Sequence, residues 1–314
     1  MSKVARSSLA LSQPLLGWLR EDPAWAALPM AQRARLVWQA RWGSINSGLT
    51  SALATQRAPV PLEDPVLIVG PWRSGTTVMH ELLAAAIGST TPRTWQCMNA
   101  CAFELTPRRR GAAAIARPMD GLEISDESPQ EDEFALLSLG IDSAYRAFWM
   151  PHRIGELRHT LDPQYWLDHP QWLDAWERFL RGVLATNGHA AAQPLLLKSP
   201  GHTYRVASIL RRFPRARLVW MVRDPSEVFH SNRKMWSQMF VAHGLAAPHP
   251  SALDDFLAEM LSATACVLED SLDLTFDRLV YVAHESLLER PADVMASVRE
   301  SLRLPTATDR KSVV

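Results

Sequence analysis

Short apolar runs alternate with amphipathic stretches through the middle of the chain, and this pattern predicts strands and helices in turn. Residues 66–69 form an apolar run that is typical of a buried strand. Residues 195–197 and 218–222 form two more such runs, and residues 203–213 between them carry apolar side chains at helical spacing. A strand, a helix and a second strand indicate a parallel pair with a right-handed crossover. We therefore expect an α/β fold, with a parallel β-sheet flanked by helices.

The first 58 residues follow a different pattern, which indicates helices at residues 14–19 and 31–53. Prolines at 59, 61 and 65 mark a short linker. We predict an N-terminal helical preface over residues 1–58, followed by the α/β domain over residues 59–314. The longer helix carries five apolar side chains at the spacing of a core-facing stripe: Leu36, Trp38, Trp42, Ile45 and Leu49. We favour burial of this stripe against the α/β domain. Because tryptophan and arginine are mixed along the helix, a helix that lies on a membrane surface is the alternative.

The segment after the first strand has the spacing of a phosphate-binding loop. Gly70 and Gly75 are followed by a threonine pair at the start of a predicted helix. Nucleotide triphosphatases need a lysine after the second glycine, where this chain has Thr76. The backbone cradle for an anion is kept, and the positive charge lies on Arg73. The pattern predicts a P-loop-like site for a nucleotide whose 5′ end is not a triphosphate.

Polar side chains also follow the two later strands. Lys198 comes directly after the run at 195–197, and Arg223 comes after the run at 218–222. Ser231 lies about two turns into the helix that follows Arg223. Ligands of open parallel sheets bind outside the carboxyl ends of the strands. We therefore expect the glycine loop, Lys198 and Arg223 to converge. The guanidinium group of Arg223 suits bidentate phosphate binding, and the Ser231 hydroxyl would add a donor. The alternative is a salt-bridged arginine and a solvent-facing serine.

Residues 127–140 begin with signals of a helix start. Ser128 suits the N-cap position, Pro129 the first helical position and Glu131 a capping box. Asp132 and Glu133 are then left without a structural role. Crowded carboxylates raise one another's pKa, and a raised pKa suits a general base. The alternative is that these acids only complement the helix dipole.

Composition narrows the class of protein without identifying it. The chain has 314 residues and 47% hydrophobic content, enough for one large α/β core. Its 33 basic and 33 acidic residues cancel, which argues against a nucleic-acid partner and against a generally basic membrane-binding face. Three cysteines form neither a disulfide framework nor a zinc-like pattern, and we expect no metal. No signal peptide or membrane span is indicated, so the cytoplasm is the expected location.

The motifs together resemble those of sulfotransferases that use 3′-phosphoadenosine 5′-phosphosulfate (PAPS). The resemblance extends over roughly residues 60–304 and is greatest to the bacterial group that also contains the tyrosylprotein sulfotransferases. It rests on Arg-Ser-Gly-Thr-Thr at 73–77, Glu-Ser-Pro-Gln-Glu-Asp-Glu-Phe-Ala-Leu at 127–136 and Leu-Lys-Ser-Pro-Gly-His at 197–202. It also rests on Val-Arg-Asp-Pro-Ser-Glu-Val-Phe-His-Ser at 222–231 and on Val-Ala-His-Glu-Ser-Leu-Leu-Glu-Arg-Pro at 282–291.

This resemblance implies roles for particular residues. The donor's 5′-phosphosulfate would bind the loop of Arg73, Ser74, Gly75, Thr76 and Thr77, and its 3′-phosphate would bind Arg223 and Ser231. Arg73 and Lys198 would neutralise charge on the leaving oxygen. Many relatives carry a glutamate base where this chain has Gln96, which cannot act as a base. Asp132, Glu133 and His202 are then the candidate bases, and we favour Glu133.

Three functions follow from these observations. The first is transfer of a sulfuryl group from PAPS to a hydroxyl of a carbohydrate or lipid acceptor. The second is a nucleotide-dependent kinase on the same loop, against which the missing lysine at Thr76 argues. The third is a non-catalytic nucleotide-binding relative, which Gln96 motivates. The sequence does not reveal the acceptor or the oligomeric state.

Overall fold

A computed structural model describes residues 12–54, 60–106, 115–116, 123–188, 193–249, 251–275 and 278–307. In chain order the elements are α1 (Gln13–Arg20), α2 (Pro23–Ala27), α3 (Met30–Ala54), β1 (Val66–Val69), α4 (Thr76–Ile87), α5 (Thr94–Met98), β2 (Ile115–Ala116), β3 (Glu123–Ile124), α6 (Glu133–Ser138), 3₁₀ helices at Ala144–Phe148 and Pro151–Leu161, α7 (Pro163–Asp168), α8 (Trp172–Asn187), β4 (Leu196–Lys198), a 3₁₀ helix at Pro200–Arg205, α9 (Val206–Arg212), β5 (Arg217–Val222), α10 (Pro225–His243), α11 (Ala252–Thr275), β6 (Leu279–Ala283), α12 (His284–Glu289) and α13 (Pro291–Ser301).

A four-stranded parallel sheet forms the centre of the fold, with strand order β4-β1-β5-β6. The chain passes from β1 to β4 and then to β5 on the far side of β1, so the strand order reverses beside β1. Crevices that bind ligands in open parallel sheets form at such a reversal, outside the carboxyl ends of the strands. The predicted fold class, a parallel sheet flanked by helices after an N-terminal helical segment, is confirmed.

Both faces of the sheet are covered, which explains why its central strands are apolar without alternation. All four residues of β1 are fully buried. Leu67 and Val69 belong to the larger core cluster, and Val66 and Ile68 belong to a second cluster on the other face. The sequence of a strand that packs against helices on both faces is a continuous hydrophobic run.

The apolar stripe predicted for the long N-terminal helix does not face the core. Trp38, Trp42, Ile45 and Leu49 are 53–62% exposed, and only Leu36 of the predicted set is buried. After Leu36, the buried face of α3 consists of small and polar residues: Ala40, Gly43, Asn46 and Thr50. Thr50 is satisfied there because its Oγ1 donates to the Cys101 carbonyl at 3.1 Å. The prediction of a core-facing stripe is therefore wrong. Pro59, in the predicted linker, lies outside the described residues.

Candidate functional site

The turn between β1 and α4 requires glycine at both of its ends. Gly70 and Gly75 have φ angles of +127° and +93°, which glycine adopts at little steric cost. A Cβ on Gly70 would lie 2.7 Å from the Met221 carbonyl oxygen, and one on Gly75 would lie 2.6 Å from the imidazole of His284. None of the described side chains caps the start of α4. The first backbone N–H groups of α4 therefore form a site for an anion.

Arg73, Arg223 and Ser231 lie together beside this loop. The Nε of Arg73 donates to the Oγ of Ser231 at 3.1 Å, and the Nη1 of Arg223 donates to the Arg73 carbonyl at 2.9 Å. Arg73 has a φ of +70°, which non-glycine residues seldom adopt, and the bond from Arg223 helps to hold it. Glu227 accepts a further hydrogen bond from Arg223 at 3.0 Å. The expected convergence of Arg223 with the glycine loop is present in the structure, and Ser231 lies beside them.

Lys198 ends β4 on the other side of the loop, where it meets a carboxylate. Its Nζ lies 2.5 Å from the Oε1 of Glu131 and 3.4 Å from the Oγ1 of Thr77. The Tyr145 hydroxyl donates to the other oxygen of Glu131 at 2.6 Å and accepts from the Trp72 indole N–H at 2.8 Å. The side chains of Lys198 and Glu131 are 2% and 12% exposed. Each carboxylate oxygen of Glu131 therefore has a donor.

Tyr145 acts on Glu131 as a neutral hydrogen-bond donor. Burial raises the pKa of Tyr145 well above its usual value, and the nearby charge of Glu131 raises this pKa further. Sequence reasoning missed Tyr145 because no motif connects it with its partners. Its hydrogen bond to Trp72 joins residues 73 positions apart.

The interpretation of Glu131 as part of a capping box is wrong. α6 begins at Glu133 rather than at Pro129, with its N-cap one residue earlier. The chain before it pairs with the turn that leads into α5, where the Thr94 N–H donates to the Ser128 carbonyl at 3.0 Å. Because contacts with this distant segment replace the expected first helical turn, the Glu131 side chain is directed to the site.

Glu133 is buried behind the site and is bound by Arg205. The Nη1 and Nη2 atoms of Arg205 lie 2.5 and 3.1 Å from its two carboxylate oxygens, and the Oγ of Ser199 donates at 3.2 Å. Burial raises the pKa of Glu133, but the charge and hydrogen bonds of Arg205 lower this pKa more, so it lies below its usual value. The expectation that crowding raises the pKa of this carboxylate is therefore wrong.

Asp132 and His202 form a second buried pair. The Nε2 of His202 lies 2.8 Å from the Oδ2 of Asp132, and the Trp176 indole N–H donates to the same oxygen at 2.6 Å. Burial raises the pKa of Asp132, but the charge of His202 and its hydrogen bond lower this pKa more. Both side chains are 0% exposed. The described residues that line the cavity beside the glycine loop therefore include none of the three candidate bases, Asp132, Glu133 and His202.

Breaking the Glu133–Arg205 pair is expected to destabilise the fold. Arg205→Met leaves a buried carboxylate without its cation, and losing one partner of a buried pair costs about 3–5 kcal/mol. The double variant Glu133→Gln, Arg205→Met is expected to lose less, because it buries no lone charge. Chemical denaturation at pH 7 measures these free energies of unfolding. A double variant less stable than Arg205→Met would contradict the expectation.

The same pair makes stability depend on pH in a defined direction. The pKa of Glu133 is depressed in the folded state. The charged Glu133 side chain therefore adds to the free energy of unfolding at pH values above its ordinary pKa of 4.5. This contribution is lost as the pH falls through the pKa of Glu133 in the folded state. The difference in unfolding free energy between wild type and Arg205→Met is expected to shrink as the pH is lowered from the ordinary pKa of Glu133 to below its pKa in the folded state. A constant difference over the same range would contradict this.

Gln96 has a structural role at the start of α5. Its Oε1 accepts from the Arg93 N–H at 2.8 Å, and its Nε2 donates to Thr186 and Asn187 at 2.8 and 2.9 Å. The side chain is 0% exposed. Gln96 thus joins the start of α5 to the end of α8, and its amide groups are all hydrogen-bonded.

His284 is a site residue to which the sequence analysis assigned no role. It begins α12 directly after β6 and packs against Gly75 of the loop. Burial lowers the pKa of His284, and the charge of Arg223 lowers this pKa further. The signal that could have identified it is its place at the carboxyl end of a strand, as for Lys198 and Arg223.

The loop and its neighbours line a cavity of about 410 Å³. Its polar lining includes groups that can bind anions or move protons: Arg73, Thr76, Thr77, Glu131, Tyr145, Arg223 and His284. Its apolar lining includes aromatic, sulfur-containing and branched side chains: Trp72, Val78, Met98, Ile124, Phe134, Phe148, Met235 and Met239. The arrangement suits a reaction between an anionic molecule and an apolar one.

Comparison with known proteins agrees with this geometry. The sequence model of the sulfotransferase family matches residues 65–309. The chain is 29% identical over 247 residues to the omega-hydroxy-beta-dihydromenaquinone-9 sulfotransferase Stf3 of Mycobacterium bovis and of Mycobacterium tuberculosis. The match covers 77% of this chain and 63% of the relative. The chain thus spans less than two thirds of the length of these curated relatives.

Two solved structures share the fold. Sulfotransferase STF9 of Mycobacterium avium matches with a TM-score of 0.61 and 16% identity, covering 95% of this chain and 84% of its own. Sulfotransferase STF1 of Mycobacterium tuberculosis matches with a TM-score of 0.62 and 15% identity, and the match covers 88% of this chain and 76% of the STF1 chain. At this level of identity the similarity shows the fold alone.

Proposed function

Since this chain belongs to the sulfotransferase family, we propose that it transfers a sulfuryl group from PAPS to the hydroxyl group of an apolar acceptor. One observation carries the proposal: Arg73, Lys198 and Arg223, from three separate strand ends, surround the N-terminal end of α4. Phosphate and sulfate groups bind where backbone N–H groups and cationic side chains converge in this way.

The donor carries anionic groups at two positions, and the site has a cationic set for each. The 5′-phosphosulfate binds the N–H groups of Gly75, Thr76 and Thr77, with Arg73 beside it. The N–H and hydroxyl of Ser74, also predicted to bind the donor, both donate to the Pro71 carbonyl instead. The 3′-phosphate binds Arg223 and Ser231, because a guanidinium group binds phosphate through two hydrogen bonds and a hydroxyl adds a donor. Thr76 stands where triphosphatases carry lysine, which favours PAPS over a nucleoside triphosphate.

Glu131 is the general base in this proposal. It lines the cavity, whereas Glu133, the base favoured from the sequence, is bound by Arg205 behind it. When bound, PAPS supplies the sulfuryl group, and 3′,5′-adenosine diphosphate departs with the electron pair of the broken S–O bond. Glu131 takes the proton of the acceptor hydroxyl as its oxygen bonds to sulfur. Lys198 and Arg73 neutralise the charge that develops on the leaving oxygen.

The acceptor is a hydroxyl group on an apolar, lipid-like molecule. Aromatic rings and methionine side chains, including Phe148 and Met239, provide most of the apolar lining. Flexible methionine side chains adapt to irregular apolar ligands. The name of the relative Stf3 describes an omega-hydroxylated menaquinone as its acceptor. These observations favour a lipid hydroxyl over a carbohydrate. We place the reaction in the cytoplasm, where bacteria make PAPS.

Arg223→Ala is expected to weaken binding of 3′,5′-adenosine diphosphate by roughly 1.5–3 kcal/mol, the contribution of a charge-assisted hydrogen bond. Its effect on 5′-AMP should be small, because 5′-AMP lacks the 3′-phosphate. Isothermal titration measures both dissociation constants. Glu227→Gln is the control: it removes the acid that pairs with Arg223 and keeps the guanidinium group. Equal losses for both nucleotides in Arg223→Ala would contradict this role.

A transfer assay tests the proposed reaction as a whole. PAPS labelled with ³⁵S is incubated with the chain and with alcohols of increasing apolar length, and labelled sulfate esters are separated by chromatography. Transfer that improves with apolar length is expected. If the chain instead needed ATP and Mg²⁺ and produced phosphate esters, the kinase would replace the sulfotransferase. Tight binding of 3′,5′-adenosine diphosphate without turnover of any acceptor would favour a non-catalytic relative.

A further inference from the structure

The exposed side of α3 carries a continuous apolar stripe. Trp38, Trp42, Ile45 and Leu49 are 62%, 54%, 56% and 53% exposed. They follow one another at spacings of four, three and four residues, which puts them on one side of a helix. The indole rings of Trp38 and Trp42 are stacked, with centroids 5.9 Å apart and planes within 6°. These four side chains therefore form one contiguous exposed patch rather than scattered single apolar residues.

The charged side chains of α3 itself have a single sign. Arg35 and Arg41 are exposed on the same side of α3, and neither forms an ion pair with the residues that the structure describes. The sequence contains four arginines and no aspartate or glutamate between Asp22 and Glu63. The whole chain, by contrast, has equal numbers of basic and acidic residues. The positive charge is therefore concentrated on this segment.

We propose that this side of α3, with its four apolar residues and two arginines, binds the surface of an anionic lipid bilayer. Tryptophan favours the headgroup region, where its ring is partly buried and its N–H meets water. Basic side chains beside an apolar stripe are the pattern of helices that lie in the membrane interface. Among the described residues no helix is long and apolar enough to cross a membrane, and the proposed contact is peripheral.

A second copy of the chain fits this surface less well. The stripe covers 12 residues, about 18 Å of helix roughly 10 Å wide. That footprint of roughly 200 Å² is far below the ~800 Å² that each partner contributes to a stable interface. Pairing two such helices would also bring the arginines of both copies together without acids on α3 to balance them. Charge and area therefore both favour the bilayer.

The position of α3 connects this surface with the cavity. Thr50, one residue after the stripe, donates to the carbonyl of Cys101 at 3.1 Å. Cys101 follows α5 by three residues, and α5 ends at Met98, which lines the cavity. The buried side of α3 thus packs against the segment that carries part of the apolar lining. The inference about binding does not depend on the proposed reaction.

Sedimentation with sucrose-loaded vesicles tests the proposal without donor or acceptor. The full chain is mixed with phosphatidylcholine vesicles or with vesicles of phosphatidylcholine and phosphatidylglycerol in a 3:1 ratio. We expect binding to the anionic vesicles that falls as NaCl is raised from 0.1 to 0.5 M, since salt screens surface charge. Equal binding to both vesicle types, or no binding to either, would overturn the proposal.

Two sets of surface variants test which residues are responsible. Trp38→Ser with Trp42→Ser is expected to weaken binding at least about tenfold. Arg35→Ser with Arg41→Ser is expected to weaken it about 30-fold, since each basic residue near an anionic surface contributes roughly fivefold. The matched controls are exposed residues elsewhere, and they should bind like wild type: Val241→Ser with Leu288→Ser, and Arg211→Ser with Arg290→Ser.

Thermal melts confirm that each variant is folded, and quenching of wild-type fluorescence by brominated anionic lipid gives a measure that needs no variant. Loss of binding in the controls to the same degree would overturn the assignment to α3. So would a stable dimer in sedimentation velocity that Trp38→Ser with Trp42→Ser dissociates, because the stripe would then bind a second copy.

Discussion

Glu131→Gln is expected to lower kcat for sulfuryl transfer by about 10²–10⁴-fold, the usual contribution of general base catalysis. Glutamine keeps the shape of the side chain and can still accept from Lys198, but it cannot take the acceptor's proton. Binding of 3′,5′-adenosine diphosphate should stay near wild type, because Glu131 is placed on the acceptor side of the reaction. The Tm should fall, since Lys198 loses its counter-charge, but less than in Glu133→Gln, because Glu131 is 12% exposed and Glu133 only 2%. Steady-state kinetics, titration and a thermal melt measure the three quantities.

Glu133→Gln is the matched control, with the same substitution two residues along the chain. It removes the buried partner of Arg205, so we expect a lower free energy of unfolding and a loss in kcat below about tenfold per folded molecule. The two variants thus separate catalysis from stability. Full activity in Glu131→Gln, together with a large kcat loss in a folded Glu133→Gln, would reverse the assignment of the base.

Lys198→Ala is expected to lower kcat by about two to three orders of magnitude, as when other electrostatic stabilisers of a developing charge are lost. Its ammonium group is buried at the end of β4, where it is close to both the loop and Glu131. Charge appears on the leaving oxygen only as the S–O bond breaks, so donor affinity should change much less than kcat. Pre-steady-state kinetics and titration with 3′,5′-adenosine diphosphate separate the two effects.

Lys234→Ala is the control for this variant, because Lys234 is exposed on α10, whereas Lys198 is buried and contacts Thr77 of the loop. Its kcat should stay within about twofold of wild type. If Lys198→Ala lost as much donor affinity as kcat/KM, Lys198 would be a residue of ground-state binding.

The anion site could be predicted because it depends on local patterns. Gly70 and Gly75 are required by the backbone of one turn, and the strand, loop and helix around them are adjacent in sequence. Lys198 and Arg223 each follow an apolar run, and the carboxyl ends of parallel strands meet at one edge of a sheet. Knowledge of the strand ends was therefore enough to predict that these side chains converge.

The candidate base could not be predicted in the same way. Ser128, Pro129 and Glu131 have the local chemistry of a helix start, and in isolation that chemistry favours a capping box. In the folded chain the Ser128 carbonyl bonds to the Thr94 N–H instead. Glu131 is thereby directed to Lys198, and Glu133 to Arg205. Which of these acids faces the cavity depends on contacts between segments that are distant in sequence.

The sequence by itself determined the parallel sheet, the loop and the identity of its cationic side chains, because hydrophobic period and glycine requirements act over a few neighbouring residues. Only the tertiary structure decided which face of α3 is buried. A stripe such as Trp38, Trp42, Ile45 and Leu49 has the same period whether it packs inward or outward. The inward face is the one whose small and polar groups find space and hydrogen-bond partners, as Thr50 does at Cys101. That outcome is a property of the partner surface, which the local sequence does not contain.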